Sequence, residues 1–69
     1  MADPRLGSRL KEIRTAAGLT QAELAERAGV SRKTINTVEN GVFVPSTLLA
    51  LTLARALGTT VEGLFYLAD

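Results

Sequence analysis

Gln21-Ala22-Glu23-Leu24-Ala25-Glu26-Arg27-Ala28-Gly29-Val30-Ser31-Arg32-Lys33-Thr34-Ile35-Asn36-Thr37-Val38-Glu39-Asn40 is the stretch that decides the fold. It reads as two short helices joined by a turn containing glycine, the pattern of a helix-turn-helix. Thr20 precedes it and Glu23 follows three residues later. This is the spacing of a capping box, in which each side chain satisfies the other's orphan backbone donor. Ala25 is small where the two helices must cross closely. Gly29 permits the sharp turn that redirects the chain. Ser31 can cap the second helix, which begins Arg32-Lys33-Thr34. Leu24, Ile35 and Val38 face inward at helical spacing. Arg32, Lys33, Asn36, Thr37 and Asn40 are left on the outer face.

Working outward, the same signals predict five helices, over residues 5–17, 21–28, 32–40, 47–57 and 61–66. Gly18, Gly29, Gly41 and Gly58 each follow a helical segment, where a left-handed residue closes the helix most easily. Ser46, after Pro45, and Thr60 can cap the last two helices. No segment alternates strictly enough to compete as a strand; Val42-Phe43-Val44 is β-prone but closed by Pro45. The expected core is Leu6, Leu10 and Ile13 on the first helix, Leu24 and Ala28 on the second, and Ile35 and Val38 on the third. Leu49, Leu53 and Leu57 follow on the fourth, and Leu64, Phe65 and Leu67 close it from the C-terminus. The connections are two to six residues, too short to divide the chain. The prediction is an all-α fold, one helix-turn-helix domain over 1–69, with its core at 21–40.

Composition excludes several functions. At 69 residues there is room for one small domain. No histidine and no cysteine are present, which removes disulfides, the usual zinc sites and Cys-His or Ser-His-Asp catalysis. Ser8, Ser31 and Ser46 have no histidine base, and Glu23, Glu26 and Glu39 are explained by capping, solvation and pairing. No catalytic residue, metal or cofactor is expected, and an enzyme is the weakest reading. Met1-Ala2-Asp3-Pro4 is too polar for a signal peptide. The uncharged run 40–54 contains Pro45 and is shorter than the roughly 20 apolar residues of a membrane span. A cytoplasmic protein without a membrane partner is expected.

The outer face at 32–40 carries the chemistry of base and phosphate readout. Arginine can donate two parallel hydrogen bonds to guanine, asparagine can pair bidentately with adenine, and threonine offers a hydroxyl or a methyl. The free N–H groups and dipole at the helix start favour a phosphate. Any soluble helix has a polar outer face, so Arg32 and Lys33 gain this meaning only within the complete turn pattern.

With those motifs in place, the chain resembles the Cro/repressor-type, or XRE-like, helix-turn-helix regulators, in a compact single-domain bacterial subgroup. The resemblance runs from Arg9 to Leu67. It is carried by Arg-x-x-x-Gly-Leu-Thr-Gln at 14–21, Leu-Ala-x-x-Ala-Gly-Val-Ser at 24–31 and Thr-Ile-x-x-x-Glu-Asn-Gly at 34–41. Pro45-Ser46, a leucine-rich helix ending in Leu57-Gly58, Val61-Glu62 and Leu64-Phe65 extend it. The resemblance implies a five-helix lambda-repressor-like domain that binds double-stranded DNA. By position it implies base reading by Arg32, Lys33, Thr37 and Asn36, and backbone contacts from Gln21, Ser31 and Asn40. Gln21 would also brace the recognition helix, and Arg14 and Glu39 would form a structural ion pair. The chain departs from the family at Val42-Phe43-Val44, where basic or polar residues often touch phosphate, and at Thr47-Leu48.

The net charge of +1 hides an asymmetry. Residues 1–33 hold seven basic and four acidic side chains, a net +3, and residues 34–69 hold one and three, a net −2. One face for DNA and another for a partner suits this division. Leu48 and Leu51, with Tyr66 and Phe43, form a candidate exposed patch. A homodimer through region 42–69 is expected, binding a pseudo-palindromic operator. With no activation or effector domain, a repressor is the expected regulator. The rival reading is an antitoxin-like or adaptor module that holds a toxin or another regulator through its apolar 42–67 surface.

Overall fold

The computed structural model describes residues 5–68. The polar Met1-Ala2-Asp3-Pro4 segment and the Asp69 charge lie outside them. In chain order the elements are β1 (Leu6–Ser8), α1 (Leu10–Ala16), α2 (Gln21–Ala28), α3 (Arg32–Glu39), α4 (Thr47–Ala56), α5 (Val61–Leu64) and β2 (Phe65–Leu67). The five helices pack as one layer set: α2 rests on α3 and α4, α1 on α3, and α5 on α4. No described helix is long and apolar enough to cross a membrane.

Side-chain caps start four of the helices. The Thr20 hydroxyl accepts from the Glu23 N–H at 3.1 Å, and the Glu23 carboxylate accepts from the Thr20 N–H at 2.9 Å. Ser31, Ser46 and Thr60 each accept from the backbone N–H three residues on. Such a bond satisfies one of the orphan donors of the first turn and stabilises a helix by about 1 kcal/mol. Leu10, Leu24, Ile35, Val38, Leu53, Leu64 and Phe65, with Ala25, Ala50 and Ala54, form the core, and Leu6, Ile13, Leu49 and Leu57 flank it. The small Ala25, Ala50 and Ala54 let α2 and α4 approach.

The chain ends depart from the sequence reading. Residues 5–9 do not continue α1. Leu6–Ser8 instead pairs antiparallel with Phe65–Leu67, in the register Leu6 to Leu67, Gly7 to Tyr66 and Ser8 to Phe65. The Arg9 N–H donates to the Leu64 carbonyl at 2.7 Å and the Ala68 N–H to the Arg5 carbonyl at 2.6 Å. Helix α5 accordingly stops at Leu64, with Phe65 extended at φ −131° and ψ 148°. Gly7 disfavours helix in the first segment, and each segment finds its hydrogen-bond partners in the other. Leu67, expected in the core, is 78% exposed.

Candidate nucleic-acid interface

The outer face of α3 is organised from behind, by groups of fixed polarity. Arg14, on α1, donates from Nε to Glu39 Oε2 at 2.6 Å and from Nη2 to Glu39 Oε1 at 3.2 Å. Its Nη1 donates to the Leu19 carbonyl at 2.8 Å. The two side chains are only 9% and 1% exposed, and the forked geometry fixes both planes. Gln21, at the start of α2, donates from Nε2 to Glu39 Oε1 at 3.0 Å and to Asn36 Oδ1 at 3.2 Å. Gln21 Oε1 accepts from Arg32 Nε at 3.4 Å. Asn40 Nδ2 also donates to Asn36 Oδ1, at 3.2 Å. Among the described residues no buried side-chain nitrogen or oxygen lacks a partner.

The turn between α2 and α3 sets the presentation of that face. Gly29 adopts φ +72°, and the Val30 N–H returns to the Ala25 carbonyl at 3.0 Å. A left-handed residue closes α2 there and aims α3 across it. Ser31 caps α3, and its Oγ lies 2.9 Å from Thr34 Oγ1. Arg32, Lys33 and Asn36 are exposed and, with Gln21, line one polar hollow. Thr37 is half-buried, and its hydroxyl donates to the Thr34 carbonyl at 3.0 Å. It therefore keeps acceptor lone pairs and a methyl for a ligand. Asn40 is exposed at the C-terminal end of the same helix.

A second hollow, lined by Arg14, Thr20, Gln21, Ala22 and Arg32 among others, adjoins the start of α2. Glu23 lies in the first turn of α2, and its carboxyl is held below its ordinary value of 4.5. The cause is foremost the Thr20 backbone N–H, then the Thr20 side chain, with Arg27 adding attraction. Among the described residues no three His, Cys, Asp or Glu side chains converge as metal ligands.

The four residues expected in one apolar patch divide among three places. Leu51 lines, with Leu6, Val44, Pro45, Val61 and Phe65, a hollow of about 260 Å³. Leu48 and Phe43 line a groove against Val30 and Leu49. Tyr66 is on the opposite face of the two-stranded ribbon, since paired residues share a face and successive ones alternate. The Arg9 guanidinium sits 4.3 Å from the Tyr66 ring centroid, a cation–π contact. Leu67 shares the face of Leu6 and Phe65, a neighbour the sequence reading missed. Its signal was the alternation Phe65-Tyr66-Leu67, too short to read as a strand.

The comparisons with known proteins agree with this architecture. A family model described as helix-turn-helix matches residues 10–64. An uncharacterized helix-turn-helix-type transcriptional regulator of Methanothermobacter thermautotrophicus is 51% identical over 61 residues, covering 87% of this chain and 88% of that one. The chain is similar in structure to the restriction-modification controller protein C.AhdI from Aeromonas hydrophila. That match has a TM-score of 0.75 and 41% identity, over 78% of this chain and 82% of the other. The P22 c2 repressor in complex with a synthetic operator also matches, with a TM-score of 0.75 and 28% identity, over 78% and 82% of the two chains.

Proposed function

Because the chain belongs to the Cro/repressor-type helix-turn-helix family of DNA-binding transcriptional regulators, we propose that it is a homodimeric repressor acting in the cytoplasm. It binds a pseudo-palindromic operator with α3 in the major groove. The observation that carries this reading is the single exposed row Arg32, Lys33 and Asn36, held from behind by the Arg14–Glu39–Gln21 hydrogen bonds. A rigid row of donors on a short helix is what reading base edges requires. Arg32, Lys33, Thr37 and Asn36 read bases, while Gln21, Ser31 and Asn40 hold the backbone on either side. Phosphate contacts supply affinity and its salt dependence, and the base contacts supply preference.

Two such helices must lie about 34 Å apart to enter successive major grooves. The exposed apolar side chains Val44, Leu51 and Leu67, all on region 42–69, support a two-fold pairing. Occupying a promoter site in this way excludes other proteins from it. The P22 c2 repressor, similar in fold, is bound to an operator. The direct test is Arg32→Ala, which should cost roughly 1–3 kcal/mol on the cognate duplex and relax preference at one base position. Unchanged binding and specificity in both Arg32→Ala and Lys33→Ala would remove the site assignment.

One observation favours a second reading. Val42, Phe43 and Val44 are all exposed in the loop that follows α3. An antitoxin-like or adaptor module would use that surface, with the rest of 42–67, to hold a toxin or another regulator. Salt-dependent, sequence-selective binding to duplex DNA separates the two, because an adaptor alone would show only weak, non-specific affinity.

A further inference from the structure

The hydrogen bonds behind α3 have a direction, and it reaches the base-reading surface. Arg14 carries only donors, so each Glu39 oxygen facing it accepts. Glu39 Oε1 can then take from Gln21 only its amide N–H, which settles the orientation of the Gln21 side chain. The same Nε2 faces Asn36, so Asn36 must present its oxygen inward. Asn40 in turn must donate to that oxygen. Reversing any one amide would place donor against donor or oxygen against oxygen, next to a carboxylate that is 1% exposed.

From this chain of fixed polarity we infer that Asn36 reads its base pair as a hydrogen-bond donor only. Asn36 donates from Nδ2 to a base acceptor, guanine O6 or N7, thymine O4 or adenine N7, and does not form the bidentate amide–adenine pair. The inference rests on the regulator reading and names the base chemistry that reading leaves open. Bidentate pairing with adenine needs both the oxygen and the NH₂ of one amide. The Asn36 oxygen already accepts two bonds within the protein, so only its NH₂ faces outward. Arg32 has its Nε engaged by Gln21 Oε1, which leaves the two Nη groups, again donors, for guanine O6 and N7. Lys33 adds a third donor. The adenine and cytosine amino groups cannot accept from the Asn36 NH₂, whereas guanine O6 and N7, thymine O4 and adenine N7 can.

The test is selection of bound half-sites from random duplexes by the full chain, repeated with Asn36→Ala and Asn36→Asp. Asn36→Ala identifies the base pair that Asn36 reads, as the one where preference disappears. Replacing the major-groove amino group of that pair with hydrogen, as purine does for adenine, should leave wild-type affinity unchanged, because Asn36 donates and does not accept. Asn36→Asp keeps the inward-facing oxygen and replaces the outward NH₂ with a second oxygen. Its affinity should instead fall by about tenfold when the same amino group is removed, because an oxygen accepts from it. A wild-type affinity that falls about tenfold when that amino group is removed overturns the inference while leaving the regulator reading intact. So does an Asn36→Ala protein whose preferences match the wild type at every position, or an Asn36→Asp protein that is indifferent to that amino group. Absence of any sequence preference in duplex binding removes both readings together.

Discussion

Glu39 accepts three hydrogen bonds on two oxygens, two from Arg14 and one from Gln21, at 1% exposure. Taking an ion pair out of water costs about as much as its attraction returns, so the pair acts mainly as an orientation device. Removing one partner is different, because the other charge stays buried. Arg14→Leu should therefore cost about 3–5 kcal/mol, lowering the melting temperature by roughly 4–8 °C per kcal/mol in a domain this size. The double variant Arg14→Leu/Glu39→Leu should recover most of that loss. A single variant that melts with the wild type would contradict the account. Glu23 behaves differently, since it is solvent-exposed. Its folded-state pKa lies below 4.5, so its contribution is present above that value and is lost as pH falls through the lower, folded one. Melting curves of wild type and Glu23→Gln should keep a constant separation above about pH 5 and converge below 4.5. The residues of this network were legible from their positions in the motif. The direction of each amide was not, because it depends on a partner on another helix.

Two glycines limit the elements in different ways. At Gly29 a Cβ would meet nothing within 4 Å, but φ is +72°. Gly29→Ala should thus cost about 1–2 kcal/mol from backbone strain alone, with the helix content of the folded protein unchanged in far-ultraviolet circular dichroism. At Gly7 a Cβ would lie 2.2 Å from the Tyr66 ring. Gly7→Ala must expel that ring and, with it, the Arg9 contact. The expected result is a lower melting temperature and a changed emission from the one tyrosine in the chain. An unchanged emission spectrum would mean that the ring does not pack there. Helices α2, α3 and α4 were readable because Thr20, Ser31 and Ser46 bond to donors three residues away. The ribbon was not, because Leu6–Ser8 and Phe65–Leu67 lie at opposite ends of the chain and neither makes a strand alone.

On the whole molecule, apolar surface remains that the small core leaves uncovered. Leu48 is 76% exposed and Leu51 55%, one turn apart on α4, between the Val44 hollow and the Phe43 groove. If a second copy covers Val44, Leu51 and Leu67, Leu51→Lys should be monomeric in sedimentation where the wild type is dimeric. Its operator binding should weaken and lose two-site cooperativity. Because the side chain is already half in water, the melting temperature extrapolated to low concentration should hardly move. A Leu51→Lys protein that still dimerises would place the interface elsewhere. The sequence by itself determined the helix-turn-helix, its caps and its polar outer face, since these depend on contacts within a few residues. The tertiary structure alone decided the ribbon that joins the chain ends, the separation of Tyr66 from Leu51, and the donor-only presentation of Asn36. Each of these depends on which distant group a side chain meets, and a donor or an apolar surface has no assigned partner until the helices are packed.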